Sequence, residues 1–88
     1  MVFNGYMKKF SKPQTDVLRA LDGATSETEF NGLYARTIES LRVRGMVKVR
    51  RGRKSAATYY YPDATRLVLY VTLTDEGWNF IYNGGIDN

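Results

Sequence analysis

The chain has 88 residues, a formal net charge of +4, 43% hydrophobic and 25% charged residues, and neither cysteine nor histidine. That length suits one domain, read as spanning 1–88, with a modest core, and the composition is that of a folded rather than a disordered chain. The missing residue types exclude disulfides, ordinary zinc sites and Ser-His or Cys-His catalytic pairs. No apolar run reaches the roughly 20 residues of a membrane helix, and the opening MVFNGYMKKF lacks the apolar stretch of a secretory signal, so a cytoplasmic protein without metal or cofactor is expected.

In chain order, Phe3, Tyr6, Met7 and Phe10 fit one face of a short helix, interrupted by Asn4-Gly5. A clearer helix is predicted over 12–22. Ser11 and Gln14 form a capping box, Pro13 sits in the first turn, Val17, Leu18 and Leu21 make the stripe, and Gly23 stands where a C-terminal cap belongs. Ser26 and Glu29 form a second capping box, which predicts a short helix of one or two turns before Asn31-Gly32. Tyr34, Ile38 and Leu41 then recur at helical spacing and predict a third helix over 33–44, stopped by Gly45, with Arg36, Glu39, Ser40 and Val43 pointing away from the stripe.

After Gly45 the period changes to two. Met46–Arg51 and Leu67–Thr74 alternate, so an antiparallel pair of strands is predicted, with Leu67, Leu69, Val71 and Leu73 on one face. Between them lie the turn-forming Gly52-Arg53-Lys54-Ser55 and Pro62-Asp63. Tyr59-Tyr60-Tyr61 reads as a strand extension or a cap folded on its own ribbon, with stacking on single-stranded nucleic acid as the less favoured reading. Thr74 caps a short last helix whose Asp75 and Glu76 suit an N-terminus, and Trp78, Phe80, Ile81 and Tyr82 give it apolar mass.

The charge is unevenly spread. Residues 1–35 hold four bases and four acids, residues 36–54 hold eight bases and one acid, and residues 55–88 hold one base and four acids. Six of the eight central bases are arginines, whose forks suit phosphates and guanine edges. A solvated surface patch is the plain alternative.

The stretch Leu41-Arg42-Val43-Arg44-Gly45-Met46-Val47 and the later Leu73-Thr74-Asp75-Glu76-Gly77 flank this basic hairpin. In that order they resemble the L-x-x-x-G-(L/M)-V and L-T-x-x-G stretches of winged helix-turn-helix regulators of the MarR and PadR kind, over roughly residues 12–80. The second helix is shorter, and the hairpin tip longer, than that family's pattern. The resemblance implies an α+β winged helix-turn-helix fold with three N-terminal helices, a two-stranded wing with a long tip, and a short C-terminal helix. It implies sequence-specific binding of double-stranded DNA by a small transcriptional regulator, with the helix at 33–44 in the major groove and the wing at 46–74 on the backbone or minor groove.

On that reading Arg36, Glu39 and Ser40 are the base-reading candidates. Arg36 has the fork for guanine, Glu39 accepts from cytosine or orients Arg36, and Ser40 bonds a base or a phosphate. Asn31, Arg44, Lys48, Arg50, Arg51, Arg53 and Lys54 are candidates for the backbone or minor groove, Asn31 through exposed N–H groups beside it. An edge strand guarded by its charges would account for one or two of these cations. Phe3, Tyr6 and Phe10 with Trp78, Phe80 and Tyr82 form either a homodimer interface or ordinary core. The alternative function is an interaction module that docks an acidic protein through the same basic face. Catalysis is not expected, because the close acid pairs, Asp75-Glu76 and Glu27/Glu29, sit where helix capping explains them.

Overall fold

The computed structural model describes residues 9–85. Helix α1 spans Lys12–Leu21, strand β1 Thr28–Asn31, a 3-10 turn Gly32–Tyr34, helix α2 Ala35–Val43, strands β2 Val47–Ser55 and β3 Thr65–Leu73, and helix α3 Asp75–Tyr82. The result is a small α+β domain with a three-stranded antiparallel sheet in the order β1-β3-β2. The helical pattern read in Phe3, Tyr6 and Met7 lies outside the described residues.

Helix α1 forms as its capping residues dictate. The Gln14 N–H donates to the Ser11 hydroxyl at 3.3 Å, and the Ser11 N–H donates to Gln14 Oε1 at 2.8 Å. Its buried face is Val17, Leu18 and Leu21. These meet Ile38 and Leu41 of α2, Met46, and Val47, Leu69, Val71 and Leu73 of the sheet in one core. Tyr34, expected on the inner face of α2, is instead 48% exposed and packs edge-on against Phe30; Ala35 takes its place against the core. The chain is still in the 3-10 turn at Tyr34, so the helical phase starts one residue later.

Three expectations need correction. The short helix expected after Ser26 is strand β1. Thr28 and Phe30 alternate toward the core side, and β1 pairs with β3 through Thr28↔Val71 and Phe30↔Leu69. A capping box is a local preference; pairing with Val68–Val71 along the open edge of β3 outweighs it. The wing is therefore not a free two-stranded ribbon, because β3 is the central strand of three. The strands also run further than alternation suggested. Gly52 to Ser55 continue β2 in register with Val68 to Thr65, so they are not turn residues.

Gly52 has a packing role in that strand. A Cβ there would lie 2.8 Å from Cε2 of Tyr70, whose ring edge occupies the space. Val68, also buried, lies opposite Gly52 on the sheet face away from the main core.

The two family-like stretches are bonded to each other. The Thr74 hydroxyl donates to the Gly45 carbonyl at 2.6 Å and accepts from the Gly77 N–H at 3.0 Å. The Thr74 N–H donates to the Met46 carbonyl at 3.0 Å. Gly77 is buried in the first turn of α3, where any Cβ would collide with the Met46 carbonyl oxygen. Phe10 and Phe80 meet edge-to-face at 5.0 Å, and Phe80 and Trp78 pack against the core.

Two stability outcomes follow from this packing. Leu41→Ala, at a fully buried position, should lower unfolding free energy by about 2–5 kcal/mol in urea melts. Gly77→Ala should cost at least about 2 kcal/mol, because the obstructing atom is backbone and cannot rotate away. Wild-type stability for Gly77→Ala would show that the α3 junction is not tight.

Candidate nucleic-acid interface

Strand alternation sends the basic hairpin's side chains to two faces. Lys48, Arg50 and Lys54 share the face of Tyr70 and Arg66; Arg51 and Arg53 share the face of Val47 and Val49, the side on which α2 packs.

On the first face two candidates are occupied. Arg50 forms a two-point pair with Glu27, at 2.8 and 3.2 Å, and its guanidinium carbon lies 4.3 Å from the centre of the Tyr70 ring. The Arg50 hydrogen bond holds the Glu27 carboxyl below its ordinary value of 4.5 against the opposing effect of desolvation, and the Arg50 charge adds the smallest contribution. Lys54 reaches Glu29 of β1 at 2.7 Å. The acids that were read as helix caps therefore neutralise wing cations. Lys48 is exposed opposite Thr72 and makes no ion pair among the described residues.

The second face is different. A cleft of about 300 Å³ lies between α2 and β2, lined by Ala35, Ile38, Glu39, Arg42, Val49, Arg51 and Leu69. Arg42 and Glu39 pair within α2 through two hydrogen bonds of 2.9 and 2.6 Å. That bond lowers the Glu39 carboxyl below its ordinary 4.5, with smaller help from the charges of Arg42 and Arg51. Arg36, Arg51 and Arg53 are exposed and form no ion pair among the described residues. Leu33, 90% exposed, and Val43, 70% exposed, lie with Arg36 along the outer surface of α2 and its lead-in turn.

Four of the expected contact residues are committed elsewhere. Ser40 accepts from Gln14 Nε2 at 2.8 Å and donates to the Thr37 carbonyl at 2.6 Å, so it ties α2 to the start of α1 instead of reading bases. Glu39 serves Arg42 and not Arg36. Asn31 caps the 3-10 turn, its side chain accepting from the Leu33 N–H at 2.8 Å, so that N–H is not open to a phosphate. Arg44 donates to the Lys9 carbonyl at 2.9 Å and lies 3.8 Å from the centre of the Phe10 ring.

Sequence reasoning missed the roles of Glu27 and Glu29. The signal was present in Thr28-Glu29-Phe30, whose period of two marks a strand with its acid on the face opposite Phe30. Among the described residues no group of three or more acids, histidines or cysteines could hold a metal ion, and no helix is long and apolar enough to cross a membrane. Comparison of the chain with protein-family models, with curated proteins and with solved structures gives no match.

The lowered carboxyls set a pH dependence. A glutamate whose folded pKa lies below 4.5 adds stability that is complete above 4.5 and lost as pH falls through the lowered value. Urea midpoints of wild type and Glu27→Gln should therefore differ at neutral pH and converge as the pH falls below the lowered Glu27 value. A difference that persists unchanged at low pH would mean that Glu27 acts through something other than its charge.

Proposed function

We propose that the chain is a winged-helix-like domain that binds double-stranded DNA in a sequence-specific way, as a small transcriptional regulator. Helix α2 would enter the major groove, and the inner face of the β2–β3 hairpin would follow the backbone or minor groove. The observation that carries this reading is the composition of one face: Arg36, Arg42, Arg51 and Arg53 stand there with Glu39 as the single partnered carboxylate, and three of the four arginines keep their forks exposed. In place of a second helix, β1 and the 3-10 turn lead into α2, so α1 and α2 are joined by a strand where a helix-turn-helix would have a tight turn between helices.

Within this reading Arg36 is the base reader. It lies in the first turn of α2, on the exposed side, and the N-terminal part of a recognition helix is the part that meets base edges. Leu33 and Val43 beside it have the character to meet thymine methyls. The same exposed apolar pair is what favours the second reading, an acidic protein docked on this face; competition by random duplex DNA separates the two. A homodimer belongs to the proposal through α3, where Tyr82 is 79% exposed; Phe10, Trp78 and Phe80 serve the chain's own core, and Phe3 and Tyr6 lie outside the described residues.

The test begins with selection of a preferred site from random duplexes. Arg36→Ala should then cost about 1–3 kcal/mol on that site and much less on random DNA. Arg51→Ala with Arg53→Ala should weaken both duplexes alike and reduce the slope of log K against log salt by about 0.9 per lost phosphate contact, or about 2 units. Arg50→Ala should change the slope less, since its fork is already held by Glu27. An Arg36→Ala variant that loses the same factor on both duplexes would remove Arg36 from base reading.

A further inference from the structure

The end of the hairpin carries a feature that duplex binding does not use. Residues 56–64 form a compact double turn beyond β2 and β3. The Ala56 N–H donates to the Ala64 carbonyl at 2.8 Å, the Thr58 N–H to the Tyr61 carbonyl at 3.1 Å, the Tyr61 N–H to the Thr58 carbonyl at 3.2 Å, and the Ala64 N–H to the Tyr61 carbonyl at 3.2 Å. The Thr58 hydroxyl also accepts from the Tyr61 N–H at 3.0 Å. On this ordered support Tyr59, Tyr60 and Tyr61 are 92%, 80% and 70% exposed. They neither extend a strand nor fold back on the ribbon, as the sequence had suggested.

Tyrosines of about 150–250 Å² each, exposed to that degree, leave an aromatic patch of several hundred Å². Exposed aromatic surface of that size on a small domain is usually a contact surface. Tyr59 and Tyr60 meet edge-to-face, with centroids 5.1 Å apart and planes at 85°, so no flat ligand fits between them, but each ring keeps a face toward solvent. The stem just below is basic. Arg53 and Arg66 are exposed and make no ion pair among the described residues, and Asp63 is the one acid between them.

We propose that this tip is a base-stacking platform, in which Tyr59, Tyr60 and Tyr61 take the faces of unpaired nucleobases while Arg53 and Arg66 hold the neighbouring phosphates. Cations followed by open aromatic rings are the pairing that single-stranded nucleic acid requires. A fully paired duplex offers only base edges in its grooves, its base faces being stacked on one another, so the tyrosines act where a strand is open: a bubble, a flap or a flipped base. The inference rests on the nucleic-acid reading of the basic face and extends it to a second kind of contact, made by the tyrosines and Arg66, with Arg53 shared between the two.

The experiment compares two labelled DNAs of equal length by fluorescence anisotropy, one fully paired and one with a central bubble of unpaired thymines. Wild type should bind the bubble more tightly. The triple variant Tyr59→Ala/Tyr60→Ala/Tyr61→Ala should lose at least about tenfold on the bubble, the equivalent of one stacked base, and less than about twofold on the paired duplex. The triple phenylalanine variant should stay within about threefold of wild type on both, because stacking needs the ring and not the hydroxyl. Unchanged circular dichroism shows that the exposed tip has been altered without unfolding the domain. A wild-type chain with no preference for the bubble overturns this proposal and leaves duplex binding standing; bubble binding without paired-duplex binding overturns duplex recognition and sustains this one. Equal losses on both DNAs, or a loss seen instead in co-sedimentation with phosphatidylglycerol vesicles, assign the tyrosines to another role and overturn it.

Discussion

The junction between Gly45-Met46 and Thr74-Gly77 is the constraint on which the rest of the molecule depends. One hydroxyl, that of Thr74, both caps α3 and holds the carbonyl at the end of α2, while the neighbouring backbone N–H takes the Met46 carbonyl. The entry and exit of the hairpin are thereby fastened at one point, and α3 can approach that point only because Gly77 has no side chain. The register of β2 against β3 follows from it: Val47 lies opposite Leu73, and nine consecutive pairs run outward to Ser55 opposite Thr65. Since side chains alternate along a strand, a slip of one residue would exchange the arginines of the inner face with the paired cations of the outer face. The charge pattern of the hairpin's two faces is thus a consequence of a structural clamp.

The sheet's two faces use the same residue types differently. Outside, β1 and the loop before it bring Glu27 and Glu29 against Arg50 and Lys54, and the Tyr70 ring lies beneath the Arg50 guanidinium in the space that Gly52 leaves open. Exposed pairs of this kind contribute little to stability, and their main effect here is on the local field. They damp the positive potential on one side of the ribbon, so the unpaired cations of the inner face and of α2 stand out against it.

The anchoring of α2 matters for the same reason. Gln14 is at once the second half of the α1 capping box and the donor to Ser40, so the cap that starts α1 also sets where α2 lies against it. Arg44, one turn further on at the C-cap of α2, is held by the Lys9 carbonyl and the Phe10 ring. The C-terminal half of α2 is thus tied down at two points, Ser40 and Arg44, while Arg36, Leu33 and Val43 stay exposed on its outer surface.

Much of this was legible from residue order alone. The capping box at Ser11, the cap at Thr74, the stop at Gly45, the buried positions of Ile38 and Leu41 and the inward valines of β2 all follow from interactions within a few residues or from a simple period, so local chemistry determined them. The identity of β1, the pairing of Glu27 with Arg50 and of Glu29 with Lys54, the inward turn of Ser40 and the exposure of the three tyrosines were decided only by tertiary structure. Each depends on groups far apart in the chain: an open strand edge, a cation 23 residues away, a glutamine 26 residues away, or the absence of any surface for a ring to fold onto. A side chain's partner is set by what the fold brings within about 3 Å of it, and that distance is not written in the spacing of the sequence.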